Sequence, residues 1–515
     1  MIKPMRKFFK SDLAIIILIA ILALAVQLFF LNPPILSDQM EYYVTALRLP
    51  RLPSNPNIGS MRIGLELPVA ILYRIFGTSE VAYYAFPLLS YALLAASIYL
   101  IAKSLFTKRV GIFAALWTIF FPNLILDAGH LLPDVPATAV SAAAFALLFT
   151  YFGNPSIKRD YASRQSRLML IMAGLLFGWS YLIKEYLAIL FLLIPAAFWI
   201  LKIPYKHLLP VALAMLAMYT LEVAIGILYY HNPFIRFLAA NPRETTGEIQ
   251  KDVYRIVNYF ALLVIKAGGE GILVLMGLGI VNCIIGVFNK EKRFFFLLGW
   301  ILLIYVLFTV AGLLPVIFNW EGIVLLRLHK FRYWVPILPP LVIAGAALLD
   351  RLSTWLITQI KPIKTAERLF IPILMTGILI AVTGRGILTI QSDPDFIRNG
   401  KSHYLELREY LETHDYPQGI IWIDRDNKRA FERILPMYIH NPFGRLIWHG
   451  KFKYINTDDL YLRAEEIDEG MIIVDRDFMV PELYHVPEYL AEPPDNWQLV
   501  FESSNRKIAL FSINE

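Results

Sequence analysis

Eleven stretches of this chain are so apolar that their folding must be settled against lipid rather than water. A helix needs about 20 apolar residues to cross the hydrocarbon core of a bilayer. The candidates lie at 13–31, 81–102, 110–126, 135–153, 168–183, 187–201, 208–230, 258–288, 294–318, 333–349 and 369–390. The first follows Lys3, Arg6, Lys7 and Lys10, as a signal peptide would, and Ala23-Leu24-Ala25 resembles a cleavage site. Its apolar run continues to Leu31, which argues for an anchor. The stretch 258–288 is long and carries Lys266 and Glu270; it reads either as one tilted helix or as a short interfacial helix leading into a span.

Composition removes the other classes. Hydrophobic residues make up 57% of the 515 and charged ones 17%, against about 45–50% and 25% in soluble domains. A single cysteine, Cys283, excludes a disulfide scaffold and reads as a small apolar packing residue. No internal repeat or low-complexity segment is visible.

The charge is unevenly placed. Residues 391–515 hold 14 Lys/Arg and 23 Asp/Glu, so the formal +7 divides into +16 on the first 390 residues and −9 on the tail. With eleven spans and the N-terminus inside, the inner loops are 1–12, 103–109, 154–167, 202–206, 289–293 and 351–368; they hold 20 Lys/Arg and 4 Asp/Glu. That is the positive-inside asymmetry. The basic excess thus records orientation, and nucleic acid is not expected as a partner. Odd parity puts the tail outside. The expected fold is a polytopic α-helical membrane protein, residues 1–390, followed by a soluble extracytoplasmic α/β domain, residues 391–515. In the tail, Gly419–Asp424 and Gly470–Asp475 are apolar runs behind glycine, and 497–501 with 508–513 reads as a closing hairpin.

Ionisable groups beside membrane spans are costly and are functional candidates. They gather on the outer side. The first outer loop, 32–80, opens with Asp38 and Glu41, three apart and hence on one helix face. They read as a capping pair or as a general base taking a proton from a hydroxyl. Arg62 and Arg74 flank a short segment that reads as an interfacial helix; they either snorkel or meet a phosphate. In 127–134, Asp134 either caps the next helix or acts in the site, and His130 reads as an interfacial histidine; their spacing with Asp127 is not diagnostic of a metal. Lys184-Glu185-Tyr186 is a polar turn or a phosphate contact. Arg327, His329, Lys330 and Arg332 precede a span on the outer side, against the orientation trend, which an anionic ligand explains; the plainer account is a basic rim on lipid headgroups or the acidic tail. Glu222 and Arg385 lie inside spans and are expected to face the bundle, without a role.

Several short motifs occur in a familiar order: S-D-Q-M-E-Y-Y at 37–43, R-I-G-L-E-L-P at 62–68, K-S-L-F-T-K-R at 103–109, F-P-N-L at 121–124, L-P-D-V-P-A at 132–137 and R-Y-W-V-P-I-L-P-P at 332–340. In this they resemble GT-C fold glycosyltransferases, in particular family 39: the protein O-mannosyltransferases and lipid A aminoarabinose transferases. The resemblance covers roughly residues 10–350. It implies inverting transfer of a sugar from a polyprenyl-phosphate donor to a hydroxyl of a protein, glycan or lipid at the outer membrane face. By it Asp38 maps to the base, Glu41 is a possible substitute because Gln39 stands where some members have a second acid, and Asp134 maps near a second acidic position. Lys184 and Arg332 are candidate phosphate ligands, with Arg62 and His329 beside them. A divalent metal could share the clamp's work. Nothing in the tail resembles catalytic machinery. The rival readings are a lipid-linked-sugar flippase or other transporter, which would carry its charges near the midplane, and a non-catalytic scaffold.

Overall fold

The computed structural model describes residues 2–31, 38–54, 59–77, 79–153, 163–239, 243–244, 253–318, 323–324, 330–360 and 364–392. In the tail it describes 420–424, 451–455, 470–475, 495–504 and 508–513, together with scattered single positions. Each of the eleven expected apolar stretches is helical. Among the described residues nine helices are long and apolar enough to cross a membrane, and the pair Lys108–Ile119 and Pro122–Ala128, bent by 63°, supplies a tenth. Pro122 cannot continue the hydrogen-bond ladder and opens the second half of that pair. The eleventh stretch, Glu185–Leu201, has too few residues for an all-α span. Its first nine residues form a 3-10 helix and its last eight an α-helix. With rises of about 2.0 and 1.5 Å per residue it is about 30 Å long, the thickness of the hydrocarbon core. The 258–288 stretch resolves into two helices, Val253–Lys266 and Glu270–Phe288, parted at Gly268, whose φ of +70° no ordinary helical residue adopts.

By contacts the chain divides into two compact units. The first comprises residues 1–30, 52–65 and 87–391. Its centre is Asp134–Phe152 and Phe331–Leu356, whose most apolar windows are 83% and 78% buried by other helices, whereas Tyr205–Tyr230 and Ile371–Ile390 are mostly exposed. Outward-facing Leu18, Leu228 and Phe288 suit lipid. The core is aromatic: Phe145 packs on Phe177, Phe296 and Trp300 with ring centroids 4.8, 5.3 and 5.1 Å away. Trp300 also donates its indole N–H to the Pro336 carbonyl at 2.9 Å, which ties down the 3-10 turn Phe331–Ile337. Trp334 meets Phe308 edge-on at 5.0 Å, and Phe331 stacks on Phe121 at 5.6 Å.

Ion pairs collect at both ends of the helices. At one end Asp12 pairs with Lys103, Arg109 with Asp350 at 3.2 Å, and Arg351 with Glu291 at 2.9 Å. Helix direction puts the starts of Asp134–Phe152 and Phe331–Leu356 at the other end. Cys283 is fully buried, as expected of a packing residue. Arg385, expected to face the bundle, does not: its side chain is 72% exposed and, among the described residues, meets Glu270 at 3.5 Å. It lies on a peripheral helix where no neighbour encloses it.

The second unit comprises residues 31–51, 66–86 and 392–515. It holds the helix Asp38–Arg48 and a five-stranded sheet. Two-residue strands β1 (Arg243–Glu244) and β2 (Ile323–Val324) precede it in the chain. The sheet consists of β3 (Ile420–Asp424), β4 (Lys451–Ile455), β5 (Gly470–Asp475), β6 (Trp497–Glu502) and β7 (Ile508–Ile513), in the order β4-β3-β5-β7-β6. β3 is parallel to both β4 and β5, and the expected hairpin β6–β7 closes the sheet antiparallel. Ile472, Val474, Trp497 and Phe511 form its core, with Trp422 against them. The edge strand β4, K-F-K-Y-I, was not read from the sequence; its alternate lysines are what an edge strand uses to discourage further pairing.

One contact tests the packing of the first unit. Gly279 lies against the backbone of Gly345, and a Cβ on Gly345 would come within 2.3 Å of the buried Trp117 ring. Gly345→Ala is expected to cost about 1–3 kcal/mol by overpacking, read as a lowered thermal unfolding midpoint in detergent.

Candidate active site

The helix Arg164–Ile183 ends because Lys184 is extended, with φ −148° and ψ 112°. The following 3-10 turns start at Glu185. This break turns two adjacent charged side chains in different directions. Lys184, 3% exposed, puts its ammonium 3.3 Å from Asp134 Oδ1 and 4.8 Å from the centroid of the Tyr333 ring. Glu185 instead takes Arg62 at 3.5 Å and Arg236 at 3.0 Å.

Asp134 does not cap its helix. Pro133 stands at the cap with no side-chain hydrogen bond, and the Asp134 carboxylate, in the first turn, serves Lys184 and the Tyr186 hydroxyl, which donates at 3.1 Å. The Tyr186 hydroxyl also lies within donating distance of the Tyr333 carbonyl, at 3.3 Å. Tyr333 and Arg332 are held by the aromatic clamp around Phe331 and Trp334 described above. The Arg332 guanidinium sits 5.4 Å from the Tyr333 ring.

Arg62 does not snorkel: it is 5% exposed and engaged with Glu185. Its turn is fixed to the bundle by Trp179, which donates to the Gly64 carbonyl at 2.8 Å. Gly64 is needed there, since a Cβ would meet the Ile183 backbone at 2.8 Å. Arg236 extends the chain of charges to Glu222 at 3.2 Å and also donates to the Tyr181 carbonyl at 3.2 Å. Glu222 therefore faces the bundle, as expected.

Burial and the charges of Arg62 and Arg332 push the Lys184 ammonium down to about 8, although Asp134 and Glu185 oppose this. Burial and Arg332 lower His130 to about 4, so its ring is neutral at neutral pH. Among the described residues no group of three or more His, Cys, Asp or Glu side chains is arranged to hold a metal ion.

Four of the residues singled out in the sequence thus share one neighbourhood: Asp134, Lys184, Arg332 and Arg62. His329 lies outside the described residues. Asp38 and Glu41 occupy the first turn of Asp38–Arg48 in the second unit, both half-buried. Beside them Gln39 is buried and accepts a hydrogen bond from Tyr83, which packs edge-on against Tyr43 at 5.5 Å. Arg74, also in that unit, is exposed and donates to the Leu49 carbonyl at 3.4 Å. The sequence reading missed Arg236 and gave no role to Tyr186 or Tyr333. The signal for Arg236 was Glu222: a carboxylate inside a span requires a partner, and Arg236 is the nearest cation after that span.

Removing one member of this chain leaves buried charge behind. Arg236→Ala is expected to destabilise the protein by about 3–5 kcal/mol, and Arg236→Ala with Glu222→Gln by less, as measured by thermal unfolding in detergent.

Comparison with known proteins bears on the fold. Residues 65–230 match the family described as dolichyl-phosphate-mannose-protein mannosyltransferase. No match was found among curated protein sequences. Among solved structures, ArnT from Cupriavidus metallidurans superposes with a TM-score of 0.58 at 13% identity, over 98% of this chain and 98% of that one. The same protein bound to undecaprenyl phosphate gives 0.58 at 13% identity, over 97% and 98%. The apo oligosaccharyltransferase of Archaeoglobus fulgidus gives 0.51 at 13% identity, over 98% of this chain and 74% of that one. The chain accordingly has a GT-C type membrane fold with a small C-terminal sheet domain, and it resembles the O-mannosyltransferases and ArnT.

Proposed function

We propose that the protein transfers a sugar, with inversion, from a polyprenyl-phosphate donor to a hydroxyl of a protein, glycan or lipid at the outer face of the cytoplasmic membrane. The observation that carries this reading is Lys184: a buried ammonium 3.3 Å from Asp134, in one neighbourhood with Arg62 and Arg332. Such a cluster suits a phosphate. It stands at the end of the helices opposite the Lys103, Arg109 and Arg351 pairs, and the excess of basic loops argues that those pairs are cytoplasmic. The tail is then extracytoplasmic. That the fold of ArnT is seen with undecaprenyl phosphate adds support for a lipid-linked donor.

In this reading the acceptor oxygen attacks the anomeric carbon from the side opposite the phosphate. The bond from that carbon to the phosphate oxygen breaks, and polyprenyl phosphate leaves with the electron pair. Lys184 and Arg332 neutralise the charge that grows on it. Asp38 takes the acceptor's proton, with Glu41 next to it on the same helix face. Asp134 and Tyr186 orient the lysine. One displacement inverts the centre and needs no enzyme nucleophile.

The test is donor turnover by purified protein in nanodiscs, with radiolabelled polyprenyl-phosphate sugars and a cell-envelope extract as acceptor. Wild type is expected to move label to a product, and folded Asp38→Asn and Lys184→Met variants to lose at least about a hundredfold in rate. Retained transfer by Asp38→Asn would remove that residue as base. The pH dependence follows from Lys184. Its charge is present below about 8 and lost above it, so the donor KM is expected to rise as pH passes that point, by up to about tenfold per unit. In Lys184→Arg, whose side chain stays charged, that rise disappears.

A further inference from the structure

Asp134 uses its carboxylate unevenly. Oδ1 receives both the Lys184 ammonium, at 3.3 Å, and the Tyr186 hydroxyl, at 3.1 Å. Oδ2 receives no hydrogen bond among the described residues, although the residue is only 1% exposed. A carboxylate oxygen stripped of water and given no donor is expensive, and folded proteins rarely keep one without use. The groups nearest to it are already committed. Tyr186 has one proton, divided between Oδ1 and the Tyr333 carbonyl, and Lys184 lies against the other oxygen of the same carboxylate. An ionised carboxylate only accepts, so the group that suits Oδ2 is an uncharged O–H or N–H brought by the substrate.

Its place indicates which one. We propose, on the reading of the reaction given above, that Asp134 Oδ2 accepts a hydrogen bond from the 2-hydroxyl, or a 2-amide N–H, of the transferred sugar. Lys184 holds the donor phosphate in that reading and touches Asp134 directly, so Oδ2 lies one residue beyond the phosphate. In an aldose the anomeric carbon has two ring neighbours, the ring oxygen and carbon 2. The substituent on carbon 2 is therefore the donor group closest to the phosphate. The chemistry favours the same group. As the bond to phosphate breaks, positive charge grows on the anomeric carbon and makes the 2-hydroxyl a better donor. Hydrogen bonds at this position strengthen in such transition states. The loop leading to Asp134 adds a second polar atom without a partner among the described residues, His130 Nδ1. Its neutral ring offers one donor and one acceptor, as a polyol requires.

Three ligands separate this role from mere orientation of Lys184: bare polyprenyl phosphate, the polyprenyl-phosphate sugar that the protein turns over, and its 2-deoxy analogue. Affinities are measured with full-length protein in nanodiscs. Wild type is expected to bind the parent donor at least about tenfold more tightly than the 2-deoxy analogue, the worth of one hydrogen bond to a charged group. Asp134→Glu keeps the charge beside Lys184 but moves the oxygens by one methylene; Asp134→Asn keeps the shape and removes the charge. Both are expected to lose most of that preference while still binding bare polyprenyl phosphate. The inference is overturned if wild type is indifferent to the 2-hydroxyl, or if the variants weaken all three ligands by the same factor. Failure of wild type to bind bare polyprenyl phosphate overturns the reaction itself, and this inference with it.

Discussion

An ammonium group held out of water between two helices is the condition around which this site is built. Lys184 can stay there only because its surroundings replace hydration: a carboxylate from Asp134, the faces of Tyr333 and Tyr186, and a place at the end of its helix, free of helical constraint. Each demand propagates. Asp134 must begin its helix one residue past a proline, the 331–337 turn must be clamped by Trp300 and Phe121, and Glu185 must be drawn off by two arginines. The 3-10 turns after Lys184 are part of the same arrangement, since a continuous α-helix would have presented its charged neighbours on a different face.

The two ends of the helices use charge differently. At one end the pairs are simple and partly exposed, such as Arg109 with Asp350 and Arg351 with Glu291. They satisfy helix ends and cost little. At the other, the charges are buried and alternate in a row from Arg62 through Glu185 and Arg236 to Glu222. A row of this kind carries no net charge of its own.

Much of the fold was legible in the sequence because crossing a bilayer is a one-dimensional requirement. Apolar length alone located every helix that now reads as a span, and alternation with glycine and turn residues found four of the five tail strands. The members of the site could also be found one at a time, as charges that membrane proximity makes expensive. What could not be read was pairing. Asp134 and Lys184 are 50 residues apart, and nothing in either local sequence specifies the other. Arg236 sits in an unremarkable apolar segment, H-N-P-F-I-R-F-L, and only its burial against Glu222 explains it. Asp134 looked like a cap because Asp before an apolar helix usually is one; the tertiary demand of Lys184 overrode the local preference. The two-helix reading of 258–288 was available from Gly268-Gly269, but the left-handed turn at the first of these decided it.

The 3-10 stretch Glu185–Leu193 gives the protein a length adjustment that an ordinary span lacks. Converting those nine residues to α-helix would shorten the segment by about 4–5 Å. That is comparable to the differences in hydrocarbon thickness between biological membranes. Lys184 caps this segment, so the stretch whose length matches the bilayer and the buried ammonium of the site are consecutive in the chain.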